Sequence, residues 1–374
     1  VNSTVIMLAG FMVVMAGLQK TRLISSIKTA MMVHLNRGGY KSYILLLMIV
    51  MLGASLAGTG ATGYYVLILS LIASLPYSQK LPTSKLVMPL GFATNHPLIP
   101  INVALLFGVT VSVLQASGIN QEISMMKFAL VNLVMSAAYF AWSLIAYRFL
   151  PNHPIADAAD ESAAALEDEA STLPAWKEKC TVGAFFFSVI GMMLMSTLGD
   201  IAYIAPGLAG AFLLFIGVLD FKEVRDHMGA PVIIMTACVI GVADALAGTG
   251  VTAMIGNAVA GVLGTSVSPF IFILILALLT STCATFTGST IGSIFIFGPI
   301  GIAACTGLGL NPTAAAIAIT ISGWNGGYMP IDGMPAMIMG MGKYKMSEFW
   351  LFTIPMYLIR ILALCAGAIF IFPV

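Results

Sequence analysis

Long apolar runs dominate the chain, and their interruptions carry its information. Val5–Leu18, Phe128–Phe149, Thr181–Thr197, Ile201–Val218, Pro231–Ala247 and Phe349–Phe372 read as plain spans. Runs near this length mark membrane-crossing helices rather than barrel strands. Ile24–Leu35, between basic residues, reads as an interfacial amphipathic helix. Four further apolar stretches are broken. Ser42–Leu75 is cut by the Gly/Thr-rich Ser55–Gly63, and Phe270–Ala304 by Thr282–Ser293. Both predict two half-length helices joined at a tip, a re-entrant hairpin. Leu86–Ala116 contains Gly91–Asn102, and Pro312–Met341 contains Ser322–Gly340, with glycines, prolines, Asn325 and Asp332. These predict helices unwound at mid-membrane. Backbone at that depth is tolerated only inside protein or beside a water-filled cavity.

Composition agrees. The 374 residues are 59% hydrophobic and 8% charged, whereas soluble domains carry about 25% charged residues. The predicted fold class is an all-α polytopic membrane protein. Five scattered cysteines lack any CxxC spacing, and the four histidines lack ligand spacing. There is no Walker A, GxSxG or HExxH motif, so neither ATP hydrolysis nor an enzyme is indicated. No cofactor is implied, and no nucleic-acid partner. A membrane-embedded enzyme would need a nucleophile–base pair or a metal cluster that the sequence does not display.

Charge placement sets the topology. If Val5–Leu18 ends in the cytoplasm and each hairpin returns to its own side, 14 of the 16 Lys and Arg are cytoplasmic. Lys127 falls outside, and Arg360 lies within a span. The one long polar segment, Pro151–Lys179, is acidic and reads as a solvated linker.

A shift of 230 residues brings Gly58 onto Gly288, Thr59 onto Ser289, Pro82-Thr83 onto Pro312-Thr313, and Asn95 onto Asn325. It also brings Pro100-Ile101 onto Pro330-Ile331 and Asn102 onto Asp332. The matches fall on helix-breaking and polar positions, and the charge count gives the two halves opposite orientations. The expected organisation is a first inverted repeat at 1–149, an acidic cytoplasmic linker at 150–179 and a second repeat at 180–374. Paired broken segments in inverted repeats point to a secondary transporter with its site near the bilayer midplane. Two plain spans precede Pro231–Ala247, and none precedes Val5–Leu18, so at least two helices are expected before residue 1 in the native product.

This order of elements resembles the ion-transporter superfamily, and within it the divalent-anion:sodium symporters and neighbouring citrate and dicarboxylate carriers. The family's Ser-Asn-Thr motif at each hairpin tip corresponds to Ala57-Gly58-Thr59 and Thr287-Gly288-Ser289, with both Asn replaced by Gly. Its later Pro-rich break resembles Met329–Pro335. The resemblance implies a homodimer in the cytoplasmic membrane. It implies a small di- or tricarboxylate as substrate, sodium as coupling ion, and alternating access.

The residues give this a chemistry. Half-helix N-termini can hold a carboxylate without Arg or Lys, and glycine allows close approach. Gly58 and Thr59, facing Thr287, Gly288, Ser289 and Thr290, are the expected jaws around the substrate, unless the hydroxyls bond their own helices. Asn95 and Asn325 are expected to contact substrate or sodium, and Asp332 to ligate sodium or carry a coupling proton. His96 is expected to pack at the break or to touch substrate. Two alternatives stay open for Asp332. One is an ion pair with Arg360; the other is exchange in a cation/proton antiporter, together with Asp244. Proton-coupled anion uptake is a further variant.

Overall fold

The computed structural model describes residues 3–22, 39–58, 62–73, 80–119, 121–155, 173–194, 198–199, 201–230, 268–331 and 333–373, with isolated positions between 233 and 261. The expected amphipathic helix, the acidic part of the linker and most of Pro231–Ala247 lie outside them, as do Thr59, Asp244 and Asp332. The described residues are helical, without a strand. Among the described residues, five helices are long and apolar enough to cross a membrane.

In chain order the elements are α1 (Ser3–Gln19), α2 (Gly39–Ala57), α3 (Thr62–Ala73), α4 (Ser84–Ala93), α5 (Ala104–Ala116), α6 (Met125–Ala146) and α7 (Ala175–Met193). There follow α8 (Ile201–Phe215), α9 (Phe221–Met228), α10 (Pro269–Thr287), α11 (Thr290–Gly307), α12 (Thr313–Gly323), α13 (Gly333–Gly342) and α14 (Met346–Ile371). The ends follow from local chemistry. Ser124 caps α6 by accepting from Lys127 N. Pro269 opens α10 at a position where no N–H is needed. Gly288, at φ 66°, closes α10. The charged stretch after α8 is a short helix, α9, because Asp220 and Glu223 form a capping box.

The interruptions fall where expected, but the arms are longer. α2 and α10 have 19 residues and α11 has 18; only α3, with 12, is near half-length. No left-handed glycine stops α10 before Gly288, so the helix runs on. α4 and α5 flank a non-helical stretch at 94–103, and the chain after α12 is non-helical at 324–331.

Packing exchanges partners between the halves. α4 lies on α2, α3 and α13, while α12 lies on α10, α11 and α5. α3 meets α13, and α11 meets α5. Two cores result. One gathers α2, α3 and α4 with Ile338 of α13, the end of α6 and the start of α14. The other gathers α1, α5, α7, α8, α10, α11 and α12 with the start of α6 and the end of α14. α6 and α14 run antiparallel through both: Trp142 Nε1 donates to Phe352 O at 3.1 Å, and Val134 packs on Gly367. α1 and α8 run parallel at a close crossing, where a Cβ on Gly10 would lie 2.6 Å from Gly207 N. Small residues permit such approaches in membranes.

Basic residues gather at common helix ends. Lys20 reaches Glu223 at 2.6 Å and Val218 O at 3.1 Å, and Lys177 donates to Gly217 O at 2.9 Å. Lys85 donates to Tyr147 O at 3.3 Å. At the opposite end of α6, Thr313 donates to Gln121 at 3.0 Å and Asn311 to Pro373 O at 3.3 Å.

Candidate functional site

The two breaks meet at Arg360, in the interior of α14. Its guanidinium is 2% exposed and tied to both. Nη2 donates to Asn325 O at 3.0 Å and Gly326 O at 2.7 Å, carbonyls released where α12 ends. Nη1 donates to Asn325 Oδ1 at 3.4 Å and to His96 Nε2 at 3.0 Å, in the other break. Nε is buried without a partner. Among the described residues no carboxylate lies within ion-pair distance of this charge.

These contacts fix His96. A guanidinium has donors only, so Nε2 must accept. Nδ1, 2.7 Å from Phe92 O, then carries the proton. His96 is thus the neutral Nδ1–H tautomer. Its ring stacks on Tyr139 at 3.9 Å, and Tyr139 OH donates to Pro89 O. It is fully buried and packed at the break, in contact with Arg360.

Beside Arg360 lies a cavity of about 300 Å³. One wall comes from the α2–α4 core and α13: Tyr65, Phe92, Met334 and Pro335, with Thr94 donating to Met334 Sδ at 3.6 Å behind it. The other comes from α10, α11 and α12: Ala284, Thr285, Thr290, Gly323 and Trp324. Asn95, Gly326, Gly327 and Arg360 complete the lining. Gly326 is held close by Thr285, whose Oγ1 would sit 2.1 Å from a Cβ there. Gly327, at φ 85°, lies against Phe92.

The expected site residues are partly brought together. Asn95 and Thr290 line the cavity. Asn325 is 1% exposed behind it, with both oxygens facing Arg360 and Nδ2 donating to Ile321 O at 2.6 Å. A sodium ion on those oxygens would sit against a guanidinium, so Asn325 anchors Arg360 and is not a cation ligand in this arrangement. Thr287 and Gly288 are exposed at the second tip. Thr287 Oγ1 donates to its own helix at Cys283 O (2.7 Å) and accepts from Ser289 N. Gly58 is buried beneath Asn102, whose Nδ2 donates to Leu56 O at 2.8 Å. Thr59 and Asp332 lie outside the described residues.

Arg360 is the principal addition to the sequence reading, which gave the anion no basic side chain and considered Arg360 only as a partner of Asp332. The signal was present, because a basic residue inside a span is costly and marks a pathway or partner. Thr285, Tyr65, Phe92 and Met334 gave no such signal, being ordinary residues of apolar helices.

A polytopic helical protein with a buried, positively charged cavity between two broken helices has the build of a secondary transporter. A family model described as a citrate transporter matches residues 1–291, and the chain belongs to that family. Among curated proteins, no sequence relative matches. A crystal structure of the Alcanivorax borkumensis YdaH transporter, described as having an unusual topology, is similar with a TM-score of 0.58. The identity is 16%, over 100% of this chain and 86% of that one, which is a likeness of fold. The resemblance to the ion-transporter superfamily is borne out, and the protein is a transporter, not an enzyme.

Proposed function

We propose that the protein moves a small di- or tricarboxylate across the cytoplasmic membrane by alternating access, coupled to sodium. The observation that carries this is the Arg360 guanidinium on the cavity wall. It stands beside both breaks, without a carboxylate at ion-pair distance among the described residues. A cation in a low-dielectric wall favours an anion in the space beside it. Asn95, Thr285 and Thr290 add polar groups to the same lining. Sodium coupling rests on Asn95, on the cavity lining, and on the sequence reading of Asp332, since unwound segments of this kind coordinate sodium in secondary transporters.

The exchange of packing partners between α4–α13 and α12–α5 favours an inverted repeat, in which the broken helices and hairpins move against a scaffold of plain spans. The scaffold is also the expected homodimer contact. The cation/proton antiporter is less well supported, because a guanidinium on the cavity wall favours an anion as the transported species.

The test is uptake of labelled succinate and citrate into proteoliposomes under an inward sodium gradient. Wild type accumulates one or both, and Arg360→Gln loses uptake by about tenfold or more, because it removes the positive charge that favours an anion in the cavity and the bonds that hold the two breaks together. Thermal unfolding of the detergent-solubilised variant shows whether the loss is one of folding. Undiminished uptake by Arg360→Gln would sink the reading of Arg360, and pH-driven sodium efflux without anion uptake would favour the antiporter.

A further inference from the structure

The start of α2 and the end of α6 enclose a second hollow, of about 620 Å³, which shares no residue with the cavity at the breaks. It lies at helix ends that the charge count assigns to the cytoplasm. Tyr40, Leu144, Ile145, Tyr147, Arg148 and Phe149 line it. Ile145 and Phe149 are each 59% exposed, apolar surface of the kind that meets acyl chains. Arg148 is also exposed, and among the described residues its side chain has no carboxylate or hydrogen-bonding partner. Glu348 meets this hollow only through Phe149, which also lines a separate crevice beside it, and its carboxylate accepts from Lys345 N at 2.8 Å. The aromatic side is fixed by the protein itself. Tyr40 OH donates to Leu144 O at 3.1 Å, tying α2 to α6. Tyr147 packs on Tyr40 and Tyr43, with ring centres 5.0 and 4.5 Å away, and Lys85 Nζ lies 4.8 Å from its ring centre. The charge left over is that of Arg148. Lys41 and Lys80 are exposed beside the same helix start: Lys41 follows Tyr40, and Lys80 O accepts from Gly39 N at 3.1 Å. Tyr40 belongs to the first turn of α2, so the positive end of that helix dipole adds to them.

We infer that this hollow binds an anionic phospholipid of the cytoplasmic leaflet, with its phosphate on Arg148 and its acyl chains along Leu144, Ile145 and Phe149. Basic pockets beside transmembrane helices on the cytoplasmic side suit such headgroups, and each basic residue near the surface is worth about fivefold in affinity. Tyrosines at this level have one end for lipid and one for water. The lining decides between occupants. A soluble phosphate ester would use Arg148 and leave Ile145 and Phe149 uncovered. The acidic linker Ala156–Thr172 could supply charge, but Leu166 is its one apolar residue larger than Ala, so it cannot cover that flank either. A phospholipid satisfies both halves at once.

The experiment adds phosphatidylglycerol or phosphatidylcholine, with the same acyl chains, to the full chain purified in a neutral detergent, and measures retained lipid by native mass spectrometry. The expected result is a retained phosphatidylglycerol, favoured over phosphatidylcholine by about fivefold or more. Arg148→Gln should cut that preference by about fivefold, and Arg148→Lys should keep most of it. Lys127→Gln, which removes a cation at the opposite end of α6, should leave it unchanged. Arg148 is exposed, so thermal unfolding of its variants without lipid should match wild type. Equal retention of the two lipids overturns the inference. So does a preference that survives Arg148→Gln, or one that falls as far in Lys127→Gln, which would show diffuse attraction to the whole surface. Excess glycerol phosphate should not displace the lipid; displacement would overturn the inference by making soluble phosphate esters the ligand. None of these readouts depends on transport, so their failure leaves the transport reading standing.

Discussion

The two interhelical tips sit at matching places in the sequence and in opposite surroundings. Gly58 is buried at φ 87°, and a Cβ there would meet Asn102 Nδ2 at 2.8 Å. Asn102 also binds the last carbonyls of α2 through Leu56 O, so a residue from the first break clasps the first tip. Gly288 has a similar backbone, φ 66°, but no described atom within 4 Å of where its Cβ would be. Its neighbours Phe286 and Thr287 are exposed. Gly58 is sealed into the protein, and Gly288 is open. Equivalent backbone geometry at Gly58 and Gly288 therefore does not make equivalent surroundings, because the facing break supplies Asn102 to the first.

The largest test of this contrast is glycine replacement at both tips. Gly58→Ala adds overpacking against Asn102 to the left-handed backbone cost, for about 2–5 kcal/mol in all. Gly288→Ala meets the backbone cost alone, about 1–2 kcal/mol. Thermal unfolding in one detergent should rank them in that order, and equal losses would remove the distinction. Next is Asn102→Ala, which leaves the Leu56 carbonyl without its donor and should cost about 1–3 kcal/mol. Proteolysis at the first tip should rise in that variant and not at the second; no change would mean that the clasp holds nothing.

A third test sharpens the comparison at the second break. Gly326→Ala forces Thr285 to turn and lifts Gly326 O from Arg360, so uptake should fall by about tenfold, for one weakened charged hydrogen bond. A change in the first break, Pro97→Ala, lies away from the cavity lining and should be milder. Comparable losses would argue against the Arg360-centred geometry.

The smallest effect is at the scaffold. Glu223 is held below the usual carboxylate range, chiefly by its hydrogen bond from Lys20 and then by the Asp220 N–H. A depressed folded pKa gives stability that is present above the unfolded value and lost as pH falls through the folded one. Being largely exposed, the pair is worth only a few tenths of a kcal/mol. Glu223→Gln should remove that small acid-side loss without altering uptake, and a large effect would show α9 to be more than a surface helix.

Much of the architecture was legible because membrane insertion imposes severe rules. Apolar runs must be helices, and a Gly- or Pro-rich gap such as 94–103 or 324–331 must be enclosed by protein. Asn95 was found for the same reason, as a polar residue at a break. The lengths of α10 and α11 were misjudged because tip composition says where a helix turns, not how far its arms run. Thr285 was not legible, since a threonine in an apolar helix is as often bonded to its own backbone, as it also is here through Ser281 O.

The sequence by itself determined that this is a multi-pass helical membrane protein with paired interruptions, because hydrophobicity and backbone hydrogen bonding act locally. It also marked Arg360 as anomalous. Only the tertiary structure decided what Arg360 does. Its four contacts come from residues 34, 35 and 264 positions away. A guanidinium can neutralise a carboxylate, cap a helix or face a ligand, and the residues folded around it select among these roles.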